Sequence, residues 1–192
     1  MSQTENEERR EYHRLTFRAG IAMQKLDDRL RNDPETLRLS IRDELRMLKW
    51  LQTENQYALL HDSALRSQPA LAPLIRLIDA KLDILAEEVF NQPEVQASYQ
   101  KIEMSAGGIT FEWTKPVDQD SLWLIRIDPD GDDPALSLPA VVTRMADQDH
   151  HEPPRISARF IALAEDETDA VASWILSRQA KKLIGQTRNR ES

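Results

Sequence analysis

The first residues suited to binding chemistry are two arginines near the start of the chain. Arg10 and Arg14 form an RxxxR spacing within residues 8–15, a locally basic segment of an acidic sequence. The planar guanidinium group donates two parallel hydrogen bonds to a phosphate and also stacks on flat rings. The pair is therefore suited to a phosphate-bearing ligand, although two arginines at this spacing more often belong to a solvated surface.

A second polar motif lies much later in the chain, between two apolar segments. Residues 103–108 read Glu-Met-Ser-Ala-Gly-Gly, so a carboxylate, a hydroxyl and two glycines follow one another closely. The Ser105 hydroxyl is able to donate a hydrogen bond to a phosphate oxygen, and Gly108 permits a close approach that a Cβ atom would hinder. Considered alone, this motif is more often a simple hairpin turn.

Both motifs need a rigid framework, and the sequence after Pro93 predicts one. Short segments rich in β-branched and aromatic residues alternate there with turn signals such as residues 128–133. With an earlier segment, the predicted strands are residues 15–23, 96–105, 107–113, 121–128, 135–145 and 155–164. A helix is predicted over about 167–184, with Asp166 or Thr168 as its cap. Short strands of this kind indicate a small barrel or a sandwich.

The region from about residue 26 to residue 91 has a helical composition and no glycine. In its second half, apolar residues recur at alternating steps of four and three, as in a coiled-coil seam. These residues are Leu71, Ile75, Ile78, Leu82, Leu85 and Val89. A less regular series precedes them: Leu37, Ile41, Leu45, Leu48 and Leu51. With a break near Pro69, the pattern predicts a helical hairpin with part of its seam between chains; two amphipathic helices folded against the strands are the alternative.

Taken together, the motifs and their context resemble the PilZ family. That family combines an RxxxR motif before the first barrel strand with a (D/N)xSxxG turn ahead of a later strand. Residues 10–14 match the first motif and residues 103–108 match the second. Residues 155–160 resemble the late strand of the family, and residues 169–179 resemble its C-terminal helix.

The resemblance covers about half of the chain and implies an α+β fold. The expected architecture is a small PilZ-type antiparallel β-barrel with an inserted long helical hairpin and a C-terminal helix. Residues 1–25 and 96–192 would form the barrel with its N-terminal RxxxR segment and C-terminal helix, and residues 26–95 a helical oligomerisation insertion. The insertion is similar to that of an atypical PilZ branch in which long helices assemble tetramers, so a homo-oligomer is expected.

The resemblance also implies a ligand, since PilZ domains are receptors for cyclic di-GMP. The implied ligand-binding residues are Arg9, Arg10, Arg14, Glu103, Ser105 and Gly108. Two positions depart from the family pattern: Glu103 stands where members have Asp or Asn, and Ser157 where many have glycine. Ligand binding would change contacts with an unidentified downstream protein. The alternative is a degenerate PilZ scaffold that oligomerises and binds a protein of motility or surface-appendage machinery without nucleotide.

Composition narrows the other classes of function. The formal net charge of −8 argues against DNA and anionic membranes as partners, and no segment is apolar enough for membrane insertion. The chain has no cysteine, and His150-His151 lacks the spacing of a metal site. No cofactor, metal or catalytic residue set is expected. Because residues 1–8 are polar and unlike a secretory signal, we expect a cytoplasmic protein that is not an enzyme.

Overall fold

The computed structural model of the chain describes residues 14–90, 99–130, 133–145 and 154–188, and its centre is a β-barrel. The strands are β1 (Leu15–Lys25), β2 (Tyr99–Ser105), β3 (Gly108–Glu112), β4 (Leu122–Pro129), β5 (Leu136–Met145) and β6 (Arg155–Phe160). They close in the order β1-β2-β3-β6-β5-β4, because β1 pairs with both β2 and β4, and every pairing is antiparallel. The predicted barrel is confirmed, and the sandwich is excluded.

Alternation of apolar and polar residues places the core inside this barrel. In β1, Leu15, Phe17 and Ala19 are buried, whereas Thr16 and Arg18 between them are exposed. This is the period of two that a strand shows when one of its faces meets a core. The strands β2, β3 and β6 alternate in the same way, so their outer faces carry mainly polar residues.

Helices pack on parts of the barrel and extend from it. Those in the described part of the chain are α1 (Pro34–Ser40), α2 (Arg46–Ser67), α3 (Ala72–Phe90) and α4 (Glu165–Arg188). A short 3-10 helix beginning at Pro69 separates α2 from α3. The two helices are joined through Asp79, which accepts a hydrogen bond from Tyr57 and lies 3.3 Å from His61 Nε2. The predicted break and helical hairpin are therefore confirmed.

The first apolar series of the insertion lies elsewhere than expected. Leu37, Ile41, Leu45 and Leu48 are buried in the same cluster as the barrel core, so for them the alternative of packing against the strands is correct. One helix does not carry the whole series, because α1 ends at Ser40, whose hydroxyl donates to the Leu37 carbonyl at 2.7 Å. Division of the chain into a barrel and an oligomerisation insertion stays a prediction.

The C-terminal helix packs on the barrel and on α2 through its apolar face. Trp174 is buried and meets Phe17 edge-on, with 5.9 Å between the ring centroids. The Arg178 guanidinium lies 4.7 Å from the Phe17 ring centroid and donates to Asp133 at 2.5 Å. These contacts fix α4 against β1 and against the connection between β4 and β5.

The start of α4 differs from the expected one. Glu167 accepts a hydrogen bond from the Ala164 N–H at 2.8 Å and so satisfies a free donor of the first turn. The helix consequently begins at Glu165, two residues before the predicted start. Asp166 and Thr168 lie inside the helix, so the prediction that one of them caps it was wrong.

A partly buried ion pair ties the insertion to α4. Arg38 of α1 donates to the two carboxylate oxygens of Glu167 at 2.5 and 2.7 Å, and to the Ala162 carbonyl at 2.8 Å. Burial alone raises the pKa of Glu167, but the hydrogen bonds from Arg38 and Ala164 and the charge of Arg38 lower that pKa below its ordinary value. The same pairing raises the pKa of Arg38.

The lowered pKa of Glu167 makes the stability of the fold depend on pH. A carboxylate with a lowered folded-state pKa stabilises the fold above its unfolded-state pKa, about 4.3, and loses that contribution as pH falls through the folded-state value. We expect Glu167→Gln to lower Tm at neutral pH and to flatten the fall of Tm in acid, as measured by thermal melts across pH. The exposed neighbour Glu165 provides the control, Glu165→Gln. Identical melting profiles for both variants would contradict this role.

Candidate functional site

An open polar surface lies on the outside of β2, β3 and β6. We call it the polar wall and define it by the outward positions Lys101, Glu103, Ser105, Gly108, Thr110, Glu112, Arg155, Ser157 and Arg159. The strand register pairs Glu103 with Thr110 and Thr110 with Ser157, so these three side chains form one row. The Thr110 and Ser157 hydroxyls are 3.0 Å apart. The centre of the wall is therefore made of small polar side chains.

Charge on and beside the polar wall is predominantly positive. The wall itself carries the cations Lys101, Arg155 and Arg159 and the carboxylates Glu103 and Glu112. Two further cations, Arg14 and Arg18, lie beside it on the side of β1. The chain as a whole carries a formal charge of −8. The wall is thus a local basic surface that attracts anions to an otherwise acidic protein.

Arg14, the last residue of the first motif, meets the second motif at one end of this wall. Leu15 pairs with Met104, which brings the Arg14 Nη1 atom to 3.5 Å from Glu103 Oε1, although 89 positions separate the two residues. Both side chains are solvent-accessible, with 62% of Arg14 and 37% of Glu103 exposed. An exposed pair of this length contributes little to stability, so each partner is free to exchange the other for a ligand group.

Ser105 and Gly108 flank the turn between β2 and β3. The Ser105 hydroxyl donates a long hydrogen bond, 3.5 Å, to the Gly108 carbonyl. A Cβ atom built on Gly108 would lie 2.5 Å from the Ala158 carbonyl oxygen of β6, a contact that backbone atoms cannot relieve without moving. Gly108 is therefore required for the close approach of β3 to β6, a structural need separate from any contact with a ligand.

Not every predicted ligand-binding residue lies in the described part of the chain. Arg9 and Arg10 fall outside it, so their roles stay predictions. Arg14, Glu103, Ser105 and Gly108 share one end of the polar wall.

Six of the nine residues that define the polar wall were not among the predicted ligand-binding residues: Lys101, Thr110, Glu112, Arg155, Ser157 and Arg159. Thr110, Ser157 and Arg159 join the site through strand pairing, in which Gly108 lies opposite Arg159. The alternation of polar residues in 155–160 shows which of them face outward, but pairing of β3 with β6 crosses two intervening strands and has no signal in the local sequence.

The predicted helical seam lies on α3, except for Leu71 at the end of the preceding 3-10 helix, and is largely exposed. Leu71, Ile78, Leu82 and Leu85 are 42–61% exposed. Ile75 is half-buried on the side nearer to Asp79, and the prediction for Val89 concerns a side chain outside the described part of the chain. Leu74 and Leu77, also exposed, widen the stripe beyond the expected residues. We call this surface the α3 stripe.

The described residues contain no cluster of three or more histidine and acidic side chains able to hold a metal ion. Within the same residues, no helix is both long and apolar enough to span a membrane. The predicted absence of enzymatic activity and the cytoplasmic location stay predictions.

Comparison with known proteins finds similarity to solved structures alone. No protein-family model and no curated protein matches the chain. The chain is similar to a tetrameric PilZ domain from Xanthomonas campestris that self-assembles through a helical bundle, with 15% identity and a TM-score of 0.55 over 90% of this chain and 89% of that one.

Two further similarities are confined to about half of the chain. One is to the Bacillus subtilis inhibitor of motility (MotI/DgrA), with 20% identity and a TM-score of 0.35 over 47% of this chain and 46% of that one. The other is to the PilZ domain of YcgR from Escherichia coli, solved with c-di-GMP, with 18% identity and a TM-score of 0.35 over 48% and 82%. With its closed antiparallel barrel, helical hairpin and C-terminal helix, the chain has a PilZ-type fold.

Proposed function

We propose that the chain is a receptor for cyclic di-GMP and that the ligand binds on the polar wall. The observation that supports this most is the meeting of Arg14, Glu103, Ser105 and Gly108 at one solvent-facing end of the wall. A cyclic dinucleotide carries two phosphates and two guanine bases, and this end of the wall offers a partner for each kind of group.

Each side chain has a distinct role in the proposal. The Arg14 guanidinium group donates hydrogen bonds to a phosphate or to the O6 and N7 atoms of guanine, and its plane is able to stack on the base. The Glu103 carboxylate accepts hydrogen bonds from the N–H groups on the Watson–Crick edge of guanine. The Ser105 hydroxyl, whose hydrogen bond to the Gly108 carbonyl is a long 3.5 Å, donates to a phosphate oxygen.

Binding in this way would exchange one set of contacts for another. Arg14 would leave Glu103 for the ligand, and Arg9 and Arg10 would bind the ligand above the turn between β2 and β3. An exchange of contacts of this kind changes the surface that a downstream protein contacts, and the signal would pass on in this way.

The proposal is tested by calorimetric titration of the full chain with cyclic di-GMP, GMP and cyclic AMP. We expect binding of cyclic di-GMP to be clearly tighter than binding of the two mononucleotides, because only the dinucleotide presents two phosphates and two guanines at once. Equal affinity for cyclic di-GMP and GMP would reject the receptor.

Glu103, which stands where PilZ family members have Asp or Asn, gives a sharper test of how the guanine base is recognised. If Glu103 accepts from guanine, Glu103→Ala weakens binding by an amount on the order of 1 kcal/mol, as expected for a modest hydrogen bond to a charged group. Glu103→Asp preserves or improves affinity, because the shorter side chain has one rotatable bond fewer to order. Titrations of Glu103→Ala and Glu103→Asp beside wild type measure this, and an unchanged affinity for Glu103→Ala would exclude the contact.

A second candidate function rests on the α3 stripe. Its exposed leucines and isoleucine form a surface suited to helix–helix packing between copies of the chain, and Arg14 and Glu103 already satisfy one another without a ligand. The chain would then be an oligomeric scaffold that binds a protein partner and no nucleotide. The titration with cyclic di-GMP separates the candidates, because an oligomer is expected for both but only the receptor binds the ligand.

A further inference from the structure

A cavity of about 310 Å³ lies at the edge of the polar wall, between the barrel and the first turn of the insertion. Arg31 and Asn32 line it from the insertion side, Arg159 from β6 and Asp120 from the connection before β4. Val141 and Ile161 form part of its apolar lining. Arg159 also belongs to the polar wall, but none of these residues belongs to the two sequence motifs.

The cavity is continuous with the proposed ligand site. Arg159 lies opposite Gly108 in the pairing of β3 with β6, so one side chain borders both the wall and the cavity. Thr143, which also lines the cavity, donates a hydrogen bond to the Ser157 carbonyl at 3.1 Å. A ligand on the wall therefore has the cavity within direct reach along β6.

The charges around the cavity favour an anion. Arg31 donates through Nη1 to the Asp120 carbonyl at 3.0 Å, which fixes the guanidinium at the rim and leaves its other N–H groups available. The Arg159 guanidinium group makes no side-chain hydrogen bond or ion pair with any of the described residues. Two guanidinium groups thus oppose the one carboxylate of Asp120. An excess of positive charge suits a phosphate, because its several oxygens accept hydrogen bonds from both guanidinium groups.

We propose that this cavity binds a phosphate group, held by Arg31 and Arg159 with help from the Asn32 amide. The phosphate comes from one of two sources: the cyclic dinucleotide whose remainder lies on the polar wall, or a separate phosphate-bearing anion. The first source rests on the proposed function and the second does not.

Such a ligand would connect two parts of the molecule. Arg31 and Asn32 lie in the 3-10 helix Asp28–Asn32, which leads directly into α1 and the hairpin, whereas Arg159 belongs to the barrel. A phosphate bound by both sides draws the insertion toward β6. Occupancy of the cavity would therefore affect how firmly the hairpin is held against the ligand-binding barrel.

The test is a set of titrations on the full chain with two probes, cyclic di-GMP and inorganic pyrophosphate. The variants are Arg31→Gln and Arg159→Gln, with Arg29→Gln as the control, because Arg29 is exposed in the same 3-10 helix and does not line the cavity. Thermal melts verify that each variant is folded. We expect Arg31→Gln and Arg159→Gln each to weaken binding of the cavity anion by about tenfold, and Arg29→Gln to leave it unchanged.

The two probes identify the source of the phosphate. Weakened binding of cyclic di-GMP in Arg31→Gln assigns the phosphate to the dinucleotide, and weakened binding of pyrophosphate alone assigns it to a separate anion. A wild type that binds pyrophosphate through Arg31 but does not bind cyclic di-GMP would reject the receptor and retain the cavity. The proposal is overturned if folded Arg31→Gln binds both probes as wild type does, if wild type binds neither, or if Arg29→Gln has the same effect.

Discussion

Replacing Ile78 and Leu85 together by aspartate should convert an assembled protein into monomers. Both residues lie on the α3 stripe, where their side chains are 47% and 61% exposed in the single chain. Burial of one such side chain between copies stabilises an assembly by roughly 1.5–3 kcal/mol, and a carboxylate in its place is strongly disfavoured in an apolar contact. Light scattering at micromolar concentration measures the mass of wild type and of the double variant.

The structure offers a matched control for this experiment. Leu39 of α1 is 73% exposed but lies outside the α3 stripe, so Leu39→Asp makes the same chemical change without affecting the proposed interface. We expect this variant to assemble as wild type does, and the double variant to keep its barrel and its affinity for cyclic di-GMP. A monomeric wild type would remove the oligomer from both proposed functions while leaving the ligand site untouched.

The second large effect is expected from the arginine motif. Arg14→Ala, and separately Arg10→Ala, should weaken binding of cyclic di-GMP at least tenfold, or about 1.4 kcal/mol, because each removes charge-assisted hydrogen bonds. Within the described part of the chain, the Arg14 side chain makes one ion pair, an exposed 3.5 Å contact with Glu103. Removing the side chain therefore changes the stability of the free protein little. Calorimetric titration measures each affinity.

Arg42→Ala is the control for this pair of variants, since Arg42 is exposed between α1 and α2, away from the polar wall. Its affinity should equal that of wild type. Full binding by both Arg10→Ala and Arg14→Ala would mean that the RxxxR motif does not contact the ligand, whatever the affinity of the wild-type chain.

The sequence was most informative where local patterns determine structure. Alternation in Leu15, Phe17 and Ala19 is enough to predict a strand with one buried face, and Pro69 is enough to separate two helices. The same is not true of the apolar residues around Leu37 and Ile41. Their spacing suits a helix that packs on another helix as well as one that packs on a barrel, and only the tertiary structure decides between these partners.

The site was predictable to a similar extent. The resemblance of the motifs selected Arg14, Glu103, Ser105 and Gly108, and the structure brings these residues together at one end of the polar wall. Arg159 and Arg31 could not be selected in this way. They are joined to the site by pairing of β6 with β3 and by the path of the insertion across the barrel, and both depend on contacts between distant parts of the chain.

The position of β1 in the barrel has a consequence for synthesis of the chain. β1 closes the barrel by pairing with β2 and with β4, yet the end of β4 lies about 100 residues after the end of β1. At roughly 5–20 residues per second, translation leaves β1 without its full set of partners for a time on the order of 5–20 seconds. During that interval its apolar face and its unpaired N–H groups are open to other chains. Early formation of the helical hairpin would shorten the distance that β1 must search for β2, so the insertion would also affect how safely the barrel closes.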